Sequence, residues 1–371
     1  MEQTAVEKKF GKYVMASMIT MFLQSAYSMI DGLFVSNLIG DTALSAVNVA
    51  WPVIAVVTAI GTGVGCGGAV MMSTKQGEGK NEESNIVRAN VILALLASSI
   101  VVTILFLVLL TPLLKLMGAE GELLRLSQIY GRVMLTGGVL QILSCGLTPL
   151  LRNDNRAVSA MMIMVGGLFA NLGLDFVFMY VFHMGIGGAA GASLCAQLFT
   201  TLCCLIILGT KKTDPIRFSQ FIIRKEYWKK IFKTAVSPFG ISLTPSLLIL
   251  YHNVACLKFG GDLAVNAYAL ISSTVGSYRV LLIGVAEGIQ PLASYAYGAH
   301  DFHAIRKIRN KAVITAIGVS FFLFIFIIAT ARFYPAIYGY EGEAAELGYH
   351  AVMVTAAQLI FTGLVRVTNS F

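Results

Sequence analysis

Long apolar runs, separated by short polar stretches, dominate the chain. Ten of them are found, at roughly 13–35, 43–73, 86–110, 126–150, 157–182, 186–209, 234–257, 264–297, 312–333 and 346–366. Wound as helices at ~1.5 Å per residue, runs of ~20 residues cross a bilayer. They do not alternate between apolar and polar, as the short strands of a membrane barrel would. The second and eighth runs exceed the bilayer thickness and are expected to tilt, bend or extend beyond it. Pro291 in the eighth, and Gly61, Gly63, Gly65, Gly67 and Gly68 in the second, mark expected bends or close helix contacts. The pattern predicts an all-α integral membrane protein.

The chain also repeats itself. At a shift of 221 residues Gly40-Asp41 falls on Gly261-Asp262, Ala46 on Ala267, Gly67 on Gly288, Gly77 on Gly298 and Arg88 on Arg309. Gly121-Glu122 falls on Gly342-Glu343. The register is ungapped from about 40 to 90 and drifts afterwards. An even number of spans separates the copies, so both run the same way through the membrane. Two such halves with a path between them form a common transporter plan. The halves are not chemically equivalent, because Asp31 falls on His252.

Composition narrows the class. Of the 371 residues 57% are hydrophobic and 12% charged, and the mean hydropathy is +0.77. A soluble domain carries about 25% charged residues. The formal net charge of +8 is spread over several loops, which argues against nucleic acid and for the positive-inside rule. With the N-terminus in the cytoplasm, the inner side receives Lys8, Lys9, Lys12, Lys75, Lys80, Arg88, Arg152, Arg156, the segments 211–233 and 306–311, and Arg366. The outer side receives Lys115, Arg125, Arg132, Lys258 and Arg332, while Arg279 stays within a span. A multi-pass protein of the cell membrane with a cytoplasmic N-terminus is expected. The first apolar segment is too long for the core of a secretory signal. The basic and aromatic stretch 211–233 reads as an interfacial helix against lipid. Cys66, Cys145, Cys195, Cys203, Cys204 and Cys256 lack metal-ligand spacing and read as small apolar residues.

The chemistry lies in polar groups inside the spans. A bare carboxylate at the bilayer centre costs roughly 2.5–3.5 kcal/mol on insertion scales, so Asp31 and Asp175 each need a partner, a proton or a cation. Both lie about 18 residues into spans entering from the same side, which puts them at similar depth. Asn171, one turn before Asp175, shares its face. Two carboxylates and a carboxamide make an oxygen site for a small cation or a proton-sharing pair. The plainer alternative is that each aspartate is hydrogen-bonded and packs helices. Arg279 and Glu287 lie eight apart in the eighth span, as a structural ion pair or a substrate contact. His252 is a hydrogen-bonded interior histidine or a proton relay. Gln24, Tyr27, Gln141, Gln197 and Gln290 are candidates to line a path. Nothing resembles a catalytic set: there is no His-Glu-x-x-His, phosphate-binding glycine loop or nucleophile elbow.

Asp31 in the first span, Gly-Glu-Gly-Lys (77–80), Leu-Arg-Asn-Asp-Asn (151–155), Asn171-x-x-x-Asp175 and Gln290-Pro-Leu-Ala-Ser-Tyr-Ala-Tyr-Gly-Ala299 together resemble the multidrug and toxic compound extrusion (MATE) family, closest to its DinF-like and MepA-like branch. The resemblance covers essentially the whole chain. It implies an antiporter, monomeric and without an organic cofactor, that exports small organic, often cationic, compounds by alternating access. It implies that Asp31, Asn171 and Asp175 bind H⁺ or Na⁺, the metal site if sodium is the ion, with Ser193 as a further hydroxyl. It implies two six-helix lobes, here 1–210 and 234–371 joined by the linker 211–233. The second lobe shows four spans, so its last two helices are expected to be lacking. Acidic residues that the NorM-like branch carries in its second lobe are absent. Two other readings remain: a lipid-linked oligosaccharide flippase of the same superfamily, which needs a cationic cavity, and a truncated, non-transporting remnant.

Overall fold

A computed structural model describes residues 3–210, 218–337 and 342–371. Among them the chain is helical throughout, with no strand. In lipid a helix satisfies every backbone polar group internally, so apolar runs of this length have no other stable form open to them. In order the helices are α1 (Gln3–Ile39), α2 (Asp41–Gly77), α3 (Asn81–Leu116), α4 (Gly121–Thr136), α5 (Gly138–Leu151), α6 (Ala157–Asp175), α7 (Gly185–Gly209), α8 (Lys225–Gly298), α9 (Phe302–Thr330), α10 (Phe333–Ile337), α11 (Gly342–Ala356) and α12 (Gln358–Thr368).

Eight described stretches are long and apolar enough to cross a membrane. One of them, Gly138–Val181, holds two of the expected spans, because α5 and α6 part at Asp154 and Asn155, whose backbone is not helical. The fourth expected span is divided at Gly137 into α4 and α5. Side chains such as Ile100, Val101, Ile104 and Val108 of α3 and Phe321 and Phe322 of α9 are exposed, forming the apolar face a bilayer requires.

By contacts the chain forms two compact units, one of residues 26–243 and one of residues 1–25 with 244–371. This division differs from the lobe boundaries 1–210 and 234–371 that the resemblance implies. The reason is visible in the glycines. Within the second unit, a Cβ on Gly284 would lie 2.8 Å from Met18 Cα, and one on Gly288 would lie 2.7 Å from Val14 Cα. Only a bare backbone admits the first half of α1 there. Within the unit 26–243, a Cβ on Gly63 would lie 2.9 Å from Phe239 Cβ, and one on Gly67 would lie 2.8 Å from Ala235 N. Each pair of contacts is the other moved by the repeat shift, so the start of α8 packs on α2 as the start of α1 packs on the later part of α8.

The repeat is also written in the backbone. Gly40 and Gly261, Gly79 and His300, and Gly121 and Gly342 all have positive φ, and each pair is related by the same shift. The break in α8 falls at Gly261 (φ 61°), between the seventh and eighth expected spans. Pro291, expected to bend the eighth, lies in helix that runs on unbroken to Gly298. The glycines of α2 serve close contact, as with Gly61 against Ile142 of α5.

The expected interfacial helix takes another form. Residues 211–217 lie outside the described residues, Phe218–Gln220 form a 3₁₀ turn, and Lys225 already opens α8. Asn90 holds the approach, donating to Ile222 O (3.1 Å) and accepting from Arg224 N (3.0 Å). With the chain pinned there, the amphipathic stretch becomes the first turns of α8, whose described membrane-length stretch is Leu270–Gly298.

Candidate functional site

Asp175 is the last α-helical residue of α6 and is fully buried. The helix continues as a π-helical turn, Phe176–Val181, the kind of widening that often accompanies functional positions. Asn171, one turn earlier, donates from Nδ2 to Asp175 Oδ2 at 2.9 Å. Asp175 Oδ1 is buried and accepts no hydrogen bond. Asp31 of α1, half-buried, brings its carboxyl within hydrogen-bonding reach of Asp175. Two carboxyl groups in contact away from water cannot both stay bare anions, because like charge and desolvation each oppose it. The arrangement suits a shared proton, or a small cation among oxygens; the unsatisfied Oδ1 is where either would sit. No group of three or more His, Cys, Asp or Glu able to hold a metal occurs among the described residues.

Tyr130, buried on α4, completes the surroundings: the charges of both Asp31 and Asp175 act on it. A lone tyrosine in an apolar run gives no sequence signal. Ser193, the expected further hydroxyl, is half-buried on α7 and makes no hydrogen bond to the pair. The path candidates scatter. Gln141 is fully buried, and its Nε2 donates to Met134 O, a carbonyl at the α4–α5 break. Gln24 is exposed, Gln197 and Gln290 are half-buried, and the side chain of Tyr27 lies outside the described residues. His252 is exposed, stacks on Tyr268 (centroids 5.0 Å, planes 5° apart), and its Nδ1 meets Leu248 O at 2.7 Å.

The remaining sequence motifs form a separate cluster. Asp154 Oδ1 receives hydrogen bonds from Arg88 (2.8 Å) and Gln76 (2.8 Å), and the Arg88 and Asp154 side chains are fully buried. Nearby Lys75 and Lys80 both reach Glu78. These hold Glu78 below the ordinary carboxylate range, first through the hydrogen bond from Lys75, then through that from Lys80. So Asp154 of Leu-Arg-Asn-Asp-Asn ties the α5–α6 break to α2 through Gln76 and to α3 through Arg88, while Glu78 of Gly-Glu-Gly-Lys holds Lys75 and Lys80 at the end of α2. The cysteines are all free; Cys66 and Cys204 are buried and Cys195 is exposed.

With this geometry in hand, the relationships of the chain are informative. The MatE family model matches residues 16–177 and 241–371. The chain belongs to the MATE family. It is 25% identical over 370 residues to "Multidrug export protein MepA" of Staphylococcus aureus strain N315, covering 98% of this chain and 80% of that protein. A MepA from Staphylococcus saprophyticus is 22% identical over 365 residues, with the same coverage. Among solved structures, the "outward-facing conformation of a multidrug resistance MATE family transporter of the MOP superfamily" superposes with a TM-score of 0.91 at 25% identity, covering 98% of this chain and 82% of that one. This MATE chain is therefore a multi-pass membrane transporter.

Proposed function

We propose that this MATE transporter exports small organic compounds, cationic ones above all, in exchange for H⁺ or Na⁺ taken up at Asp31 and Asp175. The observation that carries the reading is the buried meeting of those two carboxyls, with Asn171 on one and Tyr130 beside both. The relatives named as multidrug export proteins supply the substrate class. A coupling ion must bind the two access states unequally, or it drives nothing. Protonating or metallating the pair removes negative charge that otherwise favours a cationic compound. One charge moved down ~100 mV yields about 2.3 kcal/mol, enough to drive a useful concentration ratio.

Two ions suit the pair for different reasons. For a shared proton, Asn171 is already set as a donor. For sodium, its amide must turn to present oxygen. The excess of Lys and Arg on alternate loops favours a cytoplasmic N-terminus in the cell membrane. We take the transporting species to be a monomer. The flippase reading stands second: Arg366 joins Arg279 as an interior cation, but its pyrophosphate cavity needs several convergent Lys or Arg, and Glu287 cancels one of these two.

Proteoliposomes with sodium and pH gradients imposed separately test the proposal. Dye movement driven by one gradient, and lost in both Asp31→Asn and Asp175→Asn, is the expected result. Gradient-driven movement at wild-type rate in both variants would overturn it.

A further inference from the structure

The second copy of the repeat holds charges where the first holds neutral groups. Thr58 and Cys66 of α2 stand at the positions that Arg279 and Glu287 occupy in α8, by the repeat shift. Cys145 of α5 hydrogen-bonds Thr62, which lies between them on the same face. In the second copy α12 takes the place of α5. A Cβ on its Gly363 would lie 3.4 Å from Leu282 Cδ2, which fixes α12 against α8. Arg366 is one turn beyond Gly363, and Leu282 is flanked by Arg279 one turn before and Glu287 just over one turn after. The charges of both Arg279 and Glu287 reach Arg366. All three are half-buried within stretches long and apolar enough to span the membrane. Arg279 Nε is buried and makes no hydrogen bond.

Two guanidinium groups and one carboxylate leave a net positive charge inside a span. A lone interior charge is costly and calls for a counter-ion. A guanidinium fork matches the paired oxygens of a carboxylate or phosphate, and an unpaired Nε–H completes such a fork. We propose that Arg279 and Arg366 form an anion site that binds a carboxylate or phosphate oxygen group, on a carried molecule or on a lipid headgroup. The Glu287 charge, which also acts on Arg366, opposes an incoming anion and lowers its affinity. The site owes nothing to Asp31 or Asp175, so it stands or falls separately from the coupling proposal. It extends the compounds this chain accepts from cations to zwitterions and anions.

The test uses the full chain, purified in detergent, and two matched dyes: rhodamine B, which carries a free carboxylate, and rhodamine B ethyl ester, which does not. Fluorescence anisotropy reads binding. Arg366→Gln and Arg279→Gln are each expected to weaken rhodamine B by about tenfold or more, the worth of a charge-assisted bidentate contact, with the ester nearly unchanged. Glu287→Gln should tighten rhodamine B alone. This variant leaves both guanidinium groups in place, so it keeps the test alive if an arginine variant fails to fold. Native mass spectrometry after reconstitution with phosphatidylglycerol separates the two sources: a lipid retained by wild type and lost in Arg366→Gln assigns the oxygen group to a headgroup. Equal rhodamine B binding in wild type and all variants, or equal loss of both dyes, with no lipid difference, overturns the proposal.

Discussion

The two copies of the repeat share their scaffold and differ in what they place behind it. Gly63 and Gly67 admit Phe239 and Ala235; Gly284 and Gly288 admit Met18 and Val14. Behind the first pair of glycines lies a unit that holds the Asp31 and Asp175 carboxyl pair and the buried Arg88–Asp154 pair. Behind the second lies one whose interior charge is positive on balance, from Arg279, Arg366 and Glu287, with His252 at the position of Asp31. Close backbone contact tolerates no side chain and so constrains both copies alike. Interior charge is tied to no such contact and is free to diverge. A copy can therefore change its chemistry without changing its fold.

The sharpest way to break this comparison is at its two corresponding positions. Asp31→Asn should bring gradient-driven dye movement in proteoliposomes down to the level of protein-free vesicles. His252→Gln, at the matching place, should leave most of it, since His252 is exposed and meets an aromatic ring and a carbonyl of its own helix. Equal losses from both would show that the halves share the coupling work.

Next in size is the arginine that the repeat duplicates. Arg88 is fully buried against Asp154, while Arg309 is exposed and reaches only its neighbour Asn310 among the described contacts. Removing one partner of a buried pair strands the other, at about 3–5 kcal/mol. An exposed substitution stays within about 0.5 kcal/mol. Unfolding titrations in SDS should therefore separate Arg88→Ala widely from Arg309→Ala.

These residues also show what a sequence can disclose. The spans were legible because bilayer thickness forces long apolar runs. Asp31 and Asp175 were legible because a carboxylate there is too costly to be incidental. Arg366 was less so: near the end of an apolar run it reads as a loop charge, and only the packing of Gly363 on Leu282 brings it beside Arg279. The repeat was legible from 40 to 90, where Gly40, Gly63, Gly67 and Gly77 recur as Gly261, Gly284, Gly288 and Gly298. Its extension to Val14 with Ala235 and Met18 with Phe239 was hidden, because any apolar residue can lie against a glycine. The break at Gly137 was hidden as well, since nothing distinguishes that glycine from those that merely pack.

The glycines supply the third prediction. Gly67→Ala and Gly288→Ala each push a methyl into backbone that cannot step aside. Overpacking of this kind costs about 1–3 kcal/mol, and the two variants should cost alike. Gly173→Ala, with nothing within 4 Å of the new Cβ, should be near neutral in the same titration. A large difference between the first two would mean that the crossed contacts are not equivalent.

The smallest effects lie in the turns that follow α2 and the later part of α8. The second copy holds its turn with Asp301, whose Oδ1 accepts from Ala304 N at 2.9 Å; losing such a cap costs about 1 kcal/mol. The first copy uses charge instead, with Glu78 between Lys75 and Lys80. Pairs at this exposure contribute about 0.2–1 kcal/mol at most. Glu78 is held below its ordinary pKa, so its contribution is fully present above the unfolded carboxylate value of about 4.3 and fades only as pH falls through the lowered folded value. Glu78→Gln should therefore cost a little stability at pH 7, still cost it at pH 5, and cost nothing in strong acid or high salt. Asp301→Ala should lose more than Glu78→Gln at pH 7, and high salt should spare most of that loss. If salt instead erased both losses equally, the two turns would be held by the same force, and the contrast between the copies would not extend to their connecting loops.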